Sequence, residues 1–306
     1  MQEIEFKFQV PVKKRKALQK AFTLLKAEPI HLAAQYFDTA DQTLAKHCIA
    51  IRRRQENDEW KQTFKAVNSA KVLSRLELEF DIAPPETTTL DLDNYKKDYY
   101  AIYKKLKRAL GLPLPTLELL FETNIQRLRI LQDVGNSTVE IALDIGKIFE
   151  EQNSVDIFEI EFELKQGSIE DLIAFIRPWV QKYQLTLDTH SKSDYGLLAV
   201  RQQSSFSAQY QTPLVLNRSS SEAEALQSIV ANCLQHLLPN ASSIARQQYS
   251  SEHVHQARVA IRRLRSALKS FAAWSEATQP HWKTELTTIF QALSGTRDID
   301  ALNEDL

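Results

Sequence analysis

The sequence predicts an α+β fold built on one antiparallel sheet, followed by an all-α segment. Three observations carry this. Across the first two hundred or so residues, apolar and charged side chains alternate with period two in stretch after stretch. That is the mark of strands with one apolar and one polar face. Helical spacing fills several of the gaps between them. Past about residue 200 the alternation ends and only helical periodicity remains.

The elements follow in order. Glu3-Ile4-Glu5-Phe6-Lys7-Phe8 alternates cleanly as a first strand, and a helix is expected over 12–26. Strands are expected over 48–54 and 58–66, and Arg75-Leu76-Glu77-Leu78-Glu79-Phe80 alternates again. Tyr95, Tyr99, Ile102, Tyr103 and Leu106 lie at helical spacing and predict a helix over 94–110. Strands follow at 124–132, 139–144 and 159–164, then a helix at 168–184. Residues 202–217 are polar and rich in Ser and Gln, so the domains expected are 1–202 and 218–306, with a linker at 203–217. Ser221 and Glu224 form a capping-box pattern that opens a helix. Helices are expected near 221–238, 241–273 and 279–293, with a shorter one from about 296.

Composition narrows the function. At roughly 150 residues per domain, 306 residues suggest two domains. The formal net charge is -1, which by itself asks for neither nucleic acid nor membrane. There are only six glycines, and their spacing excludes both G-x-G-x-x-G and the P-loop pattern. Any phosphate must therefore be held by side chains. Cys48 and Cys233 are far apart and suggest neither a zinc site nor a disulfide framework. The first residues are charged, with no apolar run of signal-peptide or membrane-spanning length, so a cytoplasmic protein is expected.

The polar strand faces carry like charges two residues apart. Glu3, Glu5 and Lys7 share one face, and Arg52 with Arg54 another. Lys61, Thr63 and Lys65 share a third, and Arg75, Glu77 and Glu79 a fourth. Then come Arg127 with Arg129, Glu140 with Asp144, and Glu159 with Glu161 and Glu163. Such pairs repel unless something bridges them. A divalent cation bridges carboxylates, and a polyanion bridges arginines and lysines. With helices over the apolar faces, the charges would line the inside of a curved or closed sheet.

Glu3-x-Glu5-x-Lys7 resembles the E-x-E-x-K signature of the CYTH, or triphosphate tunnel metalloenzyme, superfamily. Tyr36-Phe37-Asp38-Thr39 with Leu44, Ile51-Arg52-Arg53-Arg54, Thr63-Phe64-Lys65, and Ser191-Lys192 with Tyr195-Gly196 resemble its later motifs, in order. The resemblance implies an eight-stranded antiparallel tunnel, a closed barrel with helices outside, acting on linear triphosphates. It implies that Lys7, Arg52, Arg54, Lys65, Arg127, Arg129 and Lys192 grip phosphate oxygens. It implies that Glu3, Glu5, Glu77, Glu79, Asp144, Glu159 and Glu161 hold Mg²⁺ or Mn²⁺, most of them through water. Glu5, Lys65, Arg127 and Glu161 are the expected catalytic residues.

In the second segment, His255, Arg258, Arg262, Arg265 and Lys269 fall on one helical stripe, and Ala257, Ile261, Leu264, Leu268 and Phe271 on another. The cations lack acids at i±4, and no aromatic residue interleaves them, which argues against nucleic acid. His255-x-x-Arg258 through Arg265 resembles the first motif of the CHAD domain, and Leu293-x-x-x-Arg297-Asp298-x-Asp300 a later one. The resemblance associates the segment with polyphosphate and with the N-terminal part of that longer domain. The leading expectation is thus a Mg²⁺- or Mn²⁺-dependent hydrolase of inorganic tripolyphosphate with a partial polyphosphate-binding module. Thiamine- or nucleoside-triphosphate hydrolysis, ATP cyclisation and polyphosphate binding without turnover remain open on the same residues.

Overall fold

The computed structural model describes residues 2–67, 74–87, 90, 92–150 and 153–304. The side chains of Glu3, Arg75, Arg297, Asp298 and Asp300 lie outside the described residues. By chain contacts the protein divides into two compact units. The first gathers 190–203 with the described residues up to 186, and the second gathers 187–189 and 204–306.

The first unit is a mixed α and β unit around one sheet. Its strands are β1 (Gln2–Gln9), β2 (Glu28–Asp38), β3 (Ile49–Glu56), β4 (Glu59–Val67), β5 (Ser74–Ile82), β6 (Glu118–Val134), β7 (Ser137–Glu150) and β8 (Asn153–Gln166), with β9 (Thr186–Leu187) at its boundary. Its helices are α1 (Val12–Leu24), α2 (Thr43–Lys46), α3 (Asp93–Asp98), α4 (Tyr100–Leu110), α5 (Ile169–Tyr183) and α6 (Lys192–Val200).

The strand order is β5-β4-β3-β2-β6-β7-β8-β1-β9. The sheet thus has nine strands, not the eight expected, because the two residues of β9 add to it. Nor is it a barrel closed along its length. Among the described residues, β1 meets β5 over three residue pairs, Gln2 to Leu76, Glu3 to Arg75 and Ile4 to Ser74. Along the rest of β1 the ladder runs to β8, from Glu5 opposite Glu163 to Gln9 opposite Glu159.

The two faces of the sheet differ as the alternation requires. On the apolar face, Phe8 and Phe162 meet edge to face at 5.9 Å, and Phe162 packs on Phe175 and Trp179 of α5. Phe22 of α1 meets the same Trp179 at 6.2 Å. Over β3 and β4, Ile51 and Phe64 are buried against Leu44, Tyr95, Ile102 and Leu106 of α2, α3 and α4. Burying a Phe or Leu side chain contributes about 1.5–3 kcal/mol, so these helices hold the sheet while leaving its charged face to function.

Departures from the sequence reading have physical causes. β2 carries little charge and two adjacent alanines, Ala33 and Ala34, so its alternation is faint. The helix expected over 94–110 breaks at Tyr99, whose ring stacks on Phe80 at 5.0 Å.

The second unit is helical, with α7 (Glu222–Ala245), α8 (Ser251–Phe271), a short 3₁₀ turn (Ala272–Trp274) and α9 (His281–Glu304). Ser221 and Glu224 do form a capping box at the start of α7. That helix runs through Pro239 to Ala245, so the break falls later than expected, where Gln247 takes a left-handed φ of 58°. Likewise α9 continues through 294–295. Part of the expected linker is tied down. The Asn240 side chain bonds both backbone groups of Gln209, and Asn232 Nδ2 donates to the carbonyl of Thr212 at 3.2 Å. Among the described residues, no helix is long and apolar enough to cross a membrane.

Candidate active site

Strand register assembles the site. Arg127 of β6 lies opposite Asp144 of β7, which lies opposite Glu159 of β8. One pleat further on, Glu161 lies opposite Lys7 of β1. Each step of two residues keeps the side chain on the same face. Residues far apart in sequence are thereby stacked as neighbours.

Asp144, Glu159 and Glu161 are buried, and one oxygen from each lies within 4.8 Å of the others. Three cations meet them. Arg127 forks onto Asp144, with Nε to Oδ1 and Nη2 to Oδ2 both 2.7 Å, and its Nη2 also contacts Glu161. Lys192 Nζ lies 2.7 Å from Asp144 Oδ2 and from Glu161 Oε1 and also touches Glu159. Lys7 Nζ lies 3.4 Å from Glu159 and donates to the carbonyl of His190.

At Asp144, Glu161, Arg127 and Lys192 burial works against charge, but the opposite charges win. Asp144 is held below the usual carboxylate range by Arg127 and Lys192. Glu161 is held well below it by Lys192 and Arg127. Burial likewise opposes the charges of Lys192 and Arg127, yet Asp144 with Glu159 or Glu161 raises both well above their ordinary values. Each direction favours the charged form, so Asp144, Glu161, Arg127 and Lys192 pair as ions away from bulk water.

A second charged group lies across β2–β5. Arg52 Nε donates to Thr63 Oγ1 at 3.3 Å, and its Nη1 to the Tyr36 hydroxyl at 3.4 Å. Arg54 Nη2 lies 3.2 Å from both Glu56 and Glu79. Lys65 Nζ is 2.9 Å from Glu77. Burial counts against the charge of Arg52, but Tyr36, Glu77 and Glu79 raise its pKa.

The expected site residues are therefore distributed. Asp144, Glu159, Glu161, Arg127, Lys192 and Lys7 come together. Glu5 is half-buried and acts on Arg127 through its charge. Glu77 and Glu79 lie among Arg54, Lys61 and Lys65 rather than in the buried carboxylate group. Arg129 turns to the more exposed Glu28, 2.7 Å away. The sequence assigns no role to the motif residues Tyr36 and Thr63, yet both contact Arg52. Register would have placed Tyr36 opposite Arg52 once β2 was recognised.

Local structure explains two motifs. Asp38 is buried and accepts from the backbone N–H groups of Leu44 at 2.8 Å and Ala45 at 2.9 Å, capping α2 from six residues away. Ser191 caps α6 and forms a capping box with Asp194, which sets Lys192 at the first helical position facing the carboxylates. Gly196, one turn on, leaves room for the Phe121 ring. That ring stacks on Tyr36 at 4.5 Å.

The donor set fits a hard divalent cation such as Mg²⁺ or Mn²⁺. Three buried carboxylates offer oxygen ligands only, and such ions prefer oxygen.

In the helical unit, the rail divides. His255, Arg262 and Lys269 are exposed. Arg258 and Arg265 instead lie over the ring of Phe290 from α9, at 4.8 and 5.4 Å. An aromatic residue does sit among these cations, supplied by a different helix.

Interleaved cations and carboxylates on one face, with aromatics under helices on the other, define a charged-faced antiparallel sheet protein with a helical unit after it. The chain belongs to the CYTH domain family, whose model matches residues 1–195. The CHAD domain model matches residues 228–306. The chain is 32% identical over 206 residues to an inorganic triphosphatase of Haemophilus influenzae, covering 65% of this chain and 55% of that protein. It thus spans about half the length of that curated relative. Among solved structures, a Hippeastrum protein described as an adenylyl cyclase candidate with a dominant triphosphatase activity is 17% identical, with TM-score 0.45 over 66% of this chain and 96% of that one. A Bacillus halodurans adenylate cyclase candidate is 20% identical, with TM-score 0.44 over 63% of this chain and 96% of that one.

Proposed function

We propose that the chain hydrolyses inorganic tripolyphosphate to pyrophosphate and phosphate with a divalent metal, inside a tunnel formed by the curled sheet. One observation carries this reading: buried carboxylates on one sheet face lie within bonding distance of the partly buried cations Arg127 and Lys192. A protein that bound only a polyanion would have no use for the carboxylates. The pairing of β1 with β5 supports the tunnel. The curated relative supports the substrate.

Asp144, Glu159 and Glu161 would hold the metal, with Glu5 nearby. When bound, such an ion neutralises phosphate oxygens and acidifies water. Lys7, Arg127 and Lys192 would bind one part of the phosphate chain, and Arg52, Arg54 and Lys65 the other. Water oxygen bonds to a terminal phosphorus and gives up a proton to solvent, and the bridging P–O bond breaks with its electron pair leaving on pyrophosphate. Once on the phosphate chain, the guanidinium and ammonium groups stabilise the charge that grows on that leaving oxygen. Tyr36 and Thr63 orient Arg52 toward this task.

Residues 1–202 and 218–306 would act as separate domains. The exposed His255, Arg262 and Lys269 would contribute to polyphosphate binding, with Arg258 and Arg265 held against Phe290.

Variants test the site. Glu5→Gln and Arg54→Ala should each lower phosphate release from tripolyphosphate by about 10²-fold or more, with an unchanged circular dichroism spectrum. Full activity in either variant contradicts the tunnel reading.

A further inference from the structure

The ammonium of Lys192 occupies the place where the three carboxylates converge. It lies 2.7 Å from oxygens of Asp144 and Glu161 and touches Glu159. Among the described residues, these three have oxygens clustered tightly enough to bind an ion. A Mg²⁺ ligated by those oxygens at about 2.0–2.1 Å and an ammonium bonded to them compete for the same lone pairs.

The charges sharpen the point. Three carboxylates face three protein cations, Lys7, Arg127 and Lys192, every one of them largely buried. A metal ion arriving alone would have to push a buried ammonium off its partners, and an unpaired buried charge is costly. A phosphate chain arriving alone would meet the carboxylates still ionised. When both arrive, the phosphate oxygens take the ammonium and the carboxylates take the metal. The flexible stem of lysine permits the exchange.

We infer that Lys192 is a built-in counter-ion that holds the metal seat until a phosphate chain draws its ammonium away, so that metal and phosphate bind cooperatively and each binds weakly alone. The inference rests on the metal-dependent phosphate reading above and adds its order and coupling. By linkage the coupling is reciprocal. It also gives a reason for Lys192 to sit in the first turn of α6, where a cation opposes the helix dipole. The carboxylates, not the helix, stabilise it there.

The test is a Mn²⁺ titration of the phosphate-free protein, followed by the electron paramagnetic resonance signal of free Mn²⁺. Lys192→Met should bind Mn²⁺ about tenfold or more tightly than the wild type, a typical size for linked sites. Lys192→Arg, which restores a cation, should stay near the wild type. Equal or weaker Mn²⁺ binding in Lys192→Met overturns the inference. If that variant does not fold, the wild type decides alone. Millimolar orthophosphate, after correction for its own weak complex with Mn²⁺, should tighten Mn²⁺ binding severalfold, and no tightening overturns the inference. Tripolyphosphate turnover by the wild type is measured separately. Its absence would remove the hydrolase reading, while the Mn²⁺ titrations would still decide the counter-ion.

Discussion

At the scale of single residues, the site is a set of desolvated ion pairs that depend on one another. Asp144 is fully buried and serves Arg127 and Lys192 at once. Removing one partner from a buried charged cluster strands the others, at a cost of about 3–5 kcal/mol. Asp144→Ala should therefore lower stability by that amount in urea unfolding of the first unit. A loss under 1 kcal/mol or so would mean that water, not protein, satisfies these cations. Gly196 gives a second residue-scale prediction. A Cβ there would fall inside the van der Waals surface of the Phe121 ring, which stacks on Tyr36 beside Arg52. Gly196→Ala should cost about 1–3 kcal/mol through overpacking. It should also raise KM for the phosphate substrate, because Arg52 shifts with Tyr36. Unchanged stability together with unchanged KM would show that this stack does not position the guanidinium.

At the scale of elements, the α7–α8 pair is held by a buried polar network. His236 Nε2 bonds Gln256 at 2.8 Å, its Nδ1 faces Arg263 at 3.4 Å, and Arg263 also donates to Asn232 at 2.6 Å. Arg263 has only donors to offer, so Nδ1 accepts and Nε2 carries the proton. Burial, and then the Arg263 charge, hold the His236 pKa below its usual value. The sign follows from that depression. At pH well above about 6.5, the ordinary imidazole value, His236 is neutral folded or unfolded. As pH falls below it, the unfolded chain binds a proton that the folded one resists, and stability is lost. The melting temperature of the helical unit should fall more steeply between pH 7 and 5 or so in the wild type than in His236→Gln. Parallel slopes would refute this. The same helices mark the limits of sequence reading. The gap expected between 238 and 241 does not form: buried Asn240 and Ser242 keep α7 packed on past Pro239, and the helix ends before the polar Arg246–Gln248 stretch.

At the scale of the whole molecule, legibility followed the charge pattern. Strands with paired Glu or Arg were readable because alternation and charge coincide on them. β2 was not, because its face toward the site carries Ala34 and Tyr36 rather than like charges. The carboxylates and cations were readable as types. Their grouping was not, since it depends on a register that sets Arg127 beside Asp144 and leaves Glu77 and Glu79 with Lys65 and Arg54. The helical rail was readable as a stripe, but Phe290, from a helix downstream, divides it. The scarcity of glycine excludes the two glycine-rich phosphate loops, and the proposed function accordingly assigns phosphate to side chains.

The central claim is that the charged sheet face hydrolyses an unadorned triphosphate with a divalent metal. The most direct test is phosphate release by the purified chain from tripolyphosphate, ATP and thiamine triphosphate, each with Mg²⁺, with Mn²⁺ and with EDTA. Tripolyphosphate should turn over with either metal, with kcat/KM about tenfold or more above the organic triphosphates. EDTA should abolish turnover and added metal should restore it. No release from tripolyphosphate with either metal, or a preference for ATP or thiamine triphosphate, would contradict that claim.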